Sequence, residues 1–184
     1  MPTAITVLRS ASLDETAARN GTDAEICKNG IVGSGSPVPP NSVPPLASIQ
    51  ALRPCFAMVT KDLPPEVMYY KPIDLRYQAI FYLGHVPAFW ELQLSAALEY
   101  KIVDWEMANR FRQGIDPKVK DPKTINHSHS KEPAEGWGSL EDVRAYGTSV
   151  DDYIDGHYRE WVSHGPPKVW QALWEAFEHE GWYS

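Results

Sequence analysis

The segment AFEHEGWYS places His179 between Glu178 and Glu180, with Tyr183 four residues on. The surrounding pattern predicts the last turn of a helix, and residues four apart share a helix face. A neutral imidazole is a common transition-metal ligand and can also act as a base near neutral pH. Ala172 and Ala176 lie on the same predicted face and leave room for a neighbouring helix or a bound ion. Glu175, at i−4, is placed to accept a hydrogen bond from one ring nitrogen and so orient the other. A second candidate, His85, stands two residues before Pro87 in FYLGHVP, with Gly84 beside it and Phe81, Tyr82, Phe89 and Leu92 on its face. His157 falls on an apolar seam, and His127 and His129 form a His-x-His pair in NHSHS. On residue type alone each has an ordinary reading. His85 and His157 suit core or rim histidines, His179 a partly exposed helix end, and His127 and His129 a solvated loop. The chain has no glycine-rich phosphate loop, no CxxC and no serine elbow.

The elements that must position these residues read as helices. DLRYQAIFYLGHVPAFWELQLSAAL (74–98) is apolar nearly all round, which predicts a central helix. Asp74 is its expected cap, and Pro87 is expected to kink it. SLEDVRAYGTSVDDYIDGHYREWVSH opens with Ser139 and Asp142 at the spacing of a capping box and repeats apolar residues every three or four positions. GPPKVWQALWEAFEHEG starts with prolines where a helix start tolerates them. LASIQALRPCFAMVTK suits a short helix that Pro54 should kink or end, and VDWEMANRFRQ suits another short one. Residues 114–138 carry many prolines, glycines and polar residues and read as a long loop, a kind of segment that tends to carry function. Residues 1–45 are poor in aromatics and include GSGSPVPPNSVPP, which predicts a disordered leader. The expected fold is therefore all-α: a four-helix bundle over 46–184, a long loop between its second and third main helices, and a disordered leader.

Composition narrows the function classes. The chain has 184 residues, seven tryptophans and 43% hydrophobic residues, enough for a packed core. A net charge of −7 argues against a nucleic-acid binder. Cys27 and Cys55 are too few for a disulfide framework, and no apolar run is long enough to span a membrane. The N-terminus lacks a secretory apolar core. The expected location is cytoplasmic.

Four segments, YYKPIDLRYQAIFYLGHVPAFWELQL, RFRQGIDPKVKDP, GWGSLEDVRAY and ALWEAFEHE, follow one another in an order that resembles one family. They look like the N-terminal, DinB-like domain of the ergothioneine-synthesising non-haem iron sulfoxide synthases, especially the fungal type. The resemblance covers roughly residues 47–180. It implies that iron(II) is held by three histidines, one from the FYLGH helix and two from an H-E-x-x-H pattern on the last helix. His85 and His179 match the first two, and Tyr183 stands at the third position. It also implies a small-molecule thiol and trimethylhistidine as substrates, joined by oxidative C–S bond formation. A C-terminal domain like the formylglycine-generating enzyme is expected to act in trans or to be missing, leaving the chain inactive alone and inclined to self-associate. The alternatives are a degenerate DinB-like fragment, serving as an interaction module or without function, and a thiol-dependent transferase of the DinB-like class.

Overall fold

A computed structural model describes residues 42–72, 76–112, 132–133 and 135–182. Regular structure among the described residues is entirely helical: α1 (Leu46–Thr60), a 3-10 helix (Pro65–Tyr69), α2 (Ala79–Leu98), α3 (Trp105–Phe111), α4 (Leu140–His164) and α5 (Pro167–Gly181). Among the described residues no helix is long and apolar enough to cross a membrane. His127, His129, Asp74 and Tyr183 lie outside the described residues, as does the leader up to residue 41.

The predicted helix starts hold where a local cap exists. The Ser139 hydroxyl accepts from the Asp142 N–H at 3.0 Å and opens α4. Asp104 Oδ1 accepts from the N–H groups of Glu106 and Met107, both at 3.0 Å, and opens α3. The central helix differs from its sequence pattern. It begins at Ala79, with extended Gln78 as its cap, rather than at Asp74. Tertiary contacts hold the preceding residues in place: Gln78 Nε2 donates to Glu132 at 3.2 Å, and the Tyr77 ring meets Trp137 edge-on with centroids 6.0 Å apart. Pro54 and Pro87 both lie inside continuous helices, so neither acts as a break.

The end of the expected leader belongs to the fold. Val43 packs against the core, Trp174 Nε1 donates to the Ser42 carbonyl at 2.8 Å, and the Tyr158 hydroxyl donates to the Pro44 carbonyl at 2.8 Å. These bonds tie the chain just before α1 to α4 and α5.

Helix α2 is the centre of packing, with α3, α4 and α5 all laid against it. Its residues Ile80, Phe81, Ala88, Trp90 and Leu94 are buried with Val143, Val150 and Ile154 of α4 and Val169, Leu173 and Ala176 of α5. An acidic side chain of α2 lies within this core. Glu91 is fully buried, and its carboxylate accepts from the Tyr146 hydroxyl at 2.8 Å and the Val103 N–H at 3.1 Å. Burial, with the neighbouring Glu91 carboxylate, pushes the Tyr146 phenol far up, so it stays a donor. A second polar tie joins α1 to α4. Arg53 bonds Asp155 through both terminal nitrogens, at 3.0 and 2.9 Å, and its Nε lies 2.9 Å from Asp151.

Removing one donor from a buried carboxylate leaves a desolvated charge. Tyr146→Phe should therefore lower unfolding free energy by roughly 1.5–3 kcal/mol, read from urea denaturation. Asp151 supplies a pH test. Burial raises its carboxyl from 3.8 to about 6, against the pull of Arg53. A carboxyl raised in the folded state favours folding most below its unfolded value, and that contribution disappears as pH rises through the folded value. From pH 4 to 7 the native chain should lose stability relative to Asp151→Asn. The slope should be shallow, because the Asp151 side chain is 39% exposed and solvent screens it. Denaturation curves at several pH values would show it.

Candidate metal centre

Phe81, His85 and Phe89 recur every four residues on α2 and line one side of it. Gly84, next to His85, has a specific steric role. A Cβ there would lie 2.6 Å from the Phe111 ring, far inside contact distance. The missing side chain lets Phe111, at the end of α3, press flat against the backbone of α2. Phe111 is fully buried, and its ring stacks on Trp137 at 5.3 Å.

This approach brings the Phe111 carbonyl to 2.8 Å from His85 Nδ1. A carbonyl can only accept, so Nδ1 carries the proton and Nε2 carries the lone pair. A ring oriented this way through its other nitrogen is the usual arrangement of a metal-ligating histidine.

Trp137 is held by its flanks. Gly136 and Gly138 have φ of 72° and 84°, in the left-handed region that favours glycine. A Cβ on Gly138 would also lie 2.9 Å from the Arg110 guanidinium. The Tyr69 hydroxyl donates to the Gly138 carbonyl at 3.1 Å. The GWG turn thus wedges the indole beneath Phe111 and against Phe81, whose centroid is 5.2 Å away.

Helix α5 brings the second imidazole. Ala172 and Ala176 are buried, so the helix approaches α2 closely. The His179 ring stacks on Phe89 with centroids 3.8 Å apart and planes 3° from parallel. Its centroid lies 5.1 Å from that of His85. Burial lowers the His85 pKa, against the pull of its carbonyl partner. Burial and then the nearby His85 lower His179 to about 4. Both rings are neutral at pH 7, the form that binds a metal ion.

The register of α5 is fixed one residue later. Glu180 is buried and accepts from Trp90 Nε1 at 2.8 Å. Burial raises this carboxyl to about 7, against the indole bond. The expected support from Glu175 is not present. That carboxylate is exposed and takes the Gln171 side-chain amide at 2.7 Å, because both lie on the outer face of α5.

The His85 and His179 rings are near neighbours, with centroids 5.1 Å apart. Ring nitrogens of neutral imidazoles bind divalent metals at about 2.0–2.1 Å. Among the described residues no group of three histidine, cysteine or acidic side chains could hold a metal. His157 is not part of the centre. Its Nδ1 donates to the Tyr153 carbonyl at 2.8 Å, and its ring is stacked between Tyr153 and Trp161, so it braces α4.

Sequence reading missed the roles of Phe111, Trp137 and Trp90. The glycine beside His85 and the glycine pair around Trp137 were the available signals, since each marks a close approach or a special φ.

No family model matches the chain, and no solved structure matches it. Two relatives do. Ergothioneine biosynthesis protein 1 of Neurospora crassa is 35% identical over 142 residues, which is 76% of this chain and 16% of that protein. Ergothioneine biosynthesis protein 1 of Schizosaccharomyces pombe is 32% identical over 148 residues, which is 77% of this chain and 18% of that protein. The chain therefore spans less than a fifth of the length of these relatives.

Gly84→Ala tests the steric argument. The methyl group must displace Phe111, at a cost of about 1–3 kcal/mol for overpacking. It should also break the bond that fixes the His85 tautomer. Thermal melts and imidazole nitrogen shifts by NMR would report the two effects separately.

Proposed function

We propose that this chain, a sequence relative of the fungal ergothioneine biosynthesis proteins, is the iron-binding helical part of an ergothioneine-synthesising sulfoxide synthase. The observation that carries the reading is the pair of neutral imidazoles on α2 and α5, one of them oriented by the Phe111 carbonyl. In this reading the helices form a DinB-like four-helix bundle, and His85 and His179 hold iron(II). Bound iron(II) would supply the dioxygen chemistry that joins a thiol sulfur to the imidazole ring of trimethylhistidine and oxidises that sulfur.

The work of the chain's own residues is positioning. The Phe111 carbonyl keeps the proton on Nδ1 of His85 and so keeps Nε2 basic. The flat contact with Phe89 restricts the ring plane of His179. The buried aromatic residues around both rings exclude water, which keeps the imidazoles uncharged. Two protein nitrogens leave most of the coordination sphere for further ligands and substrates.

Tyr183 favours a second reading. A phenol has an ordinary pKa of about 10 and must lose a proton to bind a metal, which a neutral imidazole need not do. A tyrosine at the third-ligand position suits a degenerate centre kept for binding a partner rather than for turnover.

Anaerobic titration with iron(II) or cobalt(II) separates these readings. The proposed centre should bind with a measurable affinity, and His85→Ala and His179→Ala should each weaken it at least tenfold, about 1.4 kcal/mol. Tyr183→His should tighten it. Equal binding by the native chain and both alanine variants would rule out the imidazole pair as the site. Absence of saturable binding would favour the degenerate reading.

A further inference from the structure

Leu83, Val86, Pro87 and Trp90 follow the i, i+3, i+4, i+7 spacing of one stripe of α2, on the side of the helix away from Phe81, His85 and Phe89. The stripe floors a cleft of about 430 Å³ whose other walls come from α1, α4 and α5. Ala57 of α1 and Val143 of α4 add to the apolar lining. That volume lies within the range of small-molecule sites, about 300–1,000 Å³. Gly147 of α4 keeps the space open. A Cβ there would already touch Pro87 at 3.8 Å, so a larger side chain would fill the space over the floor.

Charge divides the cleft into two unlike ends. Tyr158 bonds the Pro44 carbonyl, Gln50 bonds Asp155, and Arg53 bonds Asp155 and Asp151, so α1 and α4 run antiparallel. At one end the charged groups have partners within the fold. Arg53 is shared between Asp151 and Asp155, and Glu180 takes the Trp90 indole N–H. Lys61 stands about two helix turns from Arg53 along α1, and Arg144 about two turns from Asp151 along α4, roughly 11 Å in each case. The antiparallel packing puts both at the other end of the cleft, where both line it. Both are exposed, and neither forms an ion pair among the described residues. The acidic side chains described along the wall, Asp151 and Glu180, belong to the paired end. The unpaired charge of the cleft is therefore positive and stands at one end of an apolar floor.

We propose that this cleft binds a small amphipathic anion, a carboxylate with an unbranched apolar tail, with the tail on the α2 stripe and the head at Lys61 and Arg144. The site is separate from the imidazole pair and does not depend on it. A small inorganic anion would leave the apolar floor unused. A cationic head would meet two like charges at Lys61 and Arg144, and a neutral chain would gain nothing from them. The tail points toward the Arg53 end, where the charges are already taken up within the fold.

The test is calorimetric titration of the full 184-residue chain with octanoate, octylamine and acetate. EDTA is present throughout, so a metal at the imidazole pair cannot be the partner of the carboxylate. Octanoate should bind saturably and at least tenfold tighter than octylamine or acetate. Gly147→Leu should weaken octanoate at least tenfold, with circular dichroism confirming the fold. The double change Lys61→Gln and Arg144→Gln alters exposed side chains only and should also weaken octanoate at least tenfold, which keeps the test sound if the leucine variant fails to fold. The proposal is overturned by the absence of saturable octanoate binding, by equal affinity for the three probes, or by unchanged octanoate affinity in the double variant or in a folded Gly147→Leu.

Discussion

The contact between Phe111 and the bare backbone at Gly84 organises the candidate centre. A ring can lie this close to a helix only where no side chain projects. Once it does, the end of α3 has one available depth and its last carbonyl meets His85. The chemistry of the imidazole therefore depends on a steric vacancy one residue away. Trp137 supports the contact from behind, and the two left-handed glycines around Trp137 support it in turn. A histidine, a glycine, a phenylalanine and a GWG turn, spread over more than fifty residues, act as one mechanical unit.

Burial has opposite consequences for the ionisable groups of this fold. The imidazoles are kept neutral, which suits metal binding. The carboxyl of Asp151 is also pushed toward neutrality, which weakens its hold on Arg53 as the pH falls. Glu91 is held by partners, since a phenol and a backbone N–H both donate to it. Hydrogen-bond donors supplied in a low-dielectric interior thus turn a buried carboxyl group into a rigid tie between elements.

Much of this was legible in the sequence, for identifiable reasons. Ser139 and Asp142 announced the start of α4 because a cap is a local interaction. The apolar character of residues 79–98 announced a central helix because burial on all sides leaves no polar stripe. His85 and His179 were identifiable as a pair only through family resemblance, since nothing in their spacing says that α5 returns to α2. Residues 76–78 looked helical because propensity is local, whereas the contacts of Tyr77 with Trp137 and of Gln78 with Glu132 are tertiary. Ser42–Pro45 looked like leader because composition cannot show that a tryptophan and a tyrosine more than a hundred residues away will bond its carbonyls.

His179 and Glu180 show how one short helix serves both sides of α2. Neighbouring residues on a helix point about 100° apart. One therefore faces the stripe that carries His85, and the other faces Trp90 and the opposite cleft. The bond from Trp90 to Glu180 locks the rotation of α5 about its own axis, and that rotation sets where the His179 ring stands. The two sides of α2 are mechanically linked through a pair of adjacent residues, and the acidic neighbour of the histidine contributes by holding the helix in register.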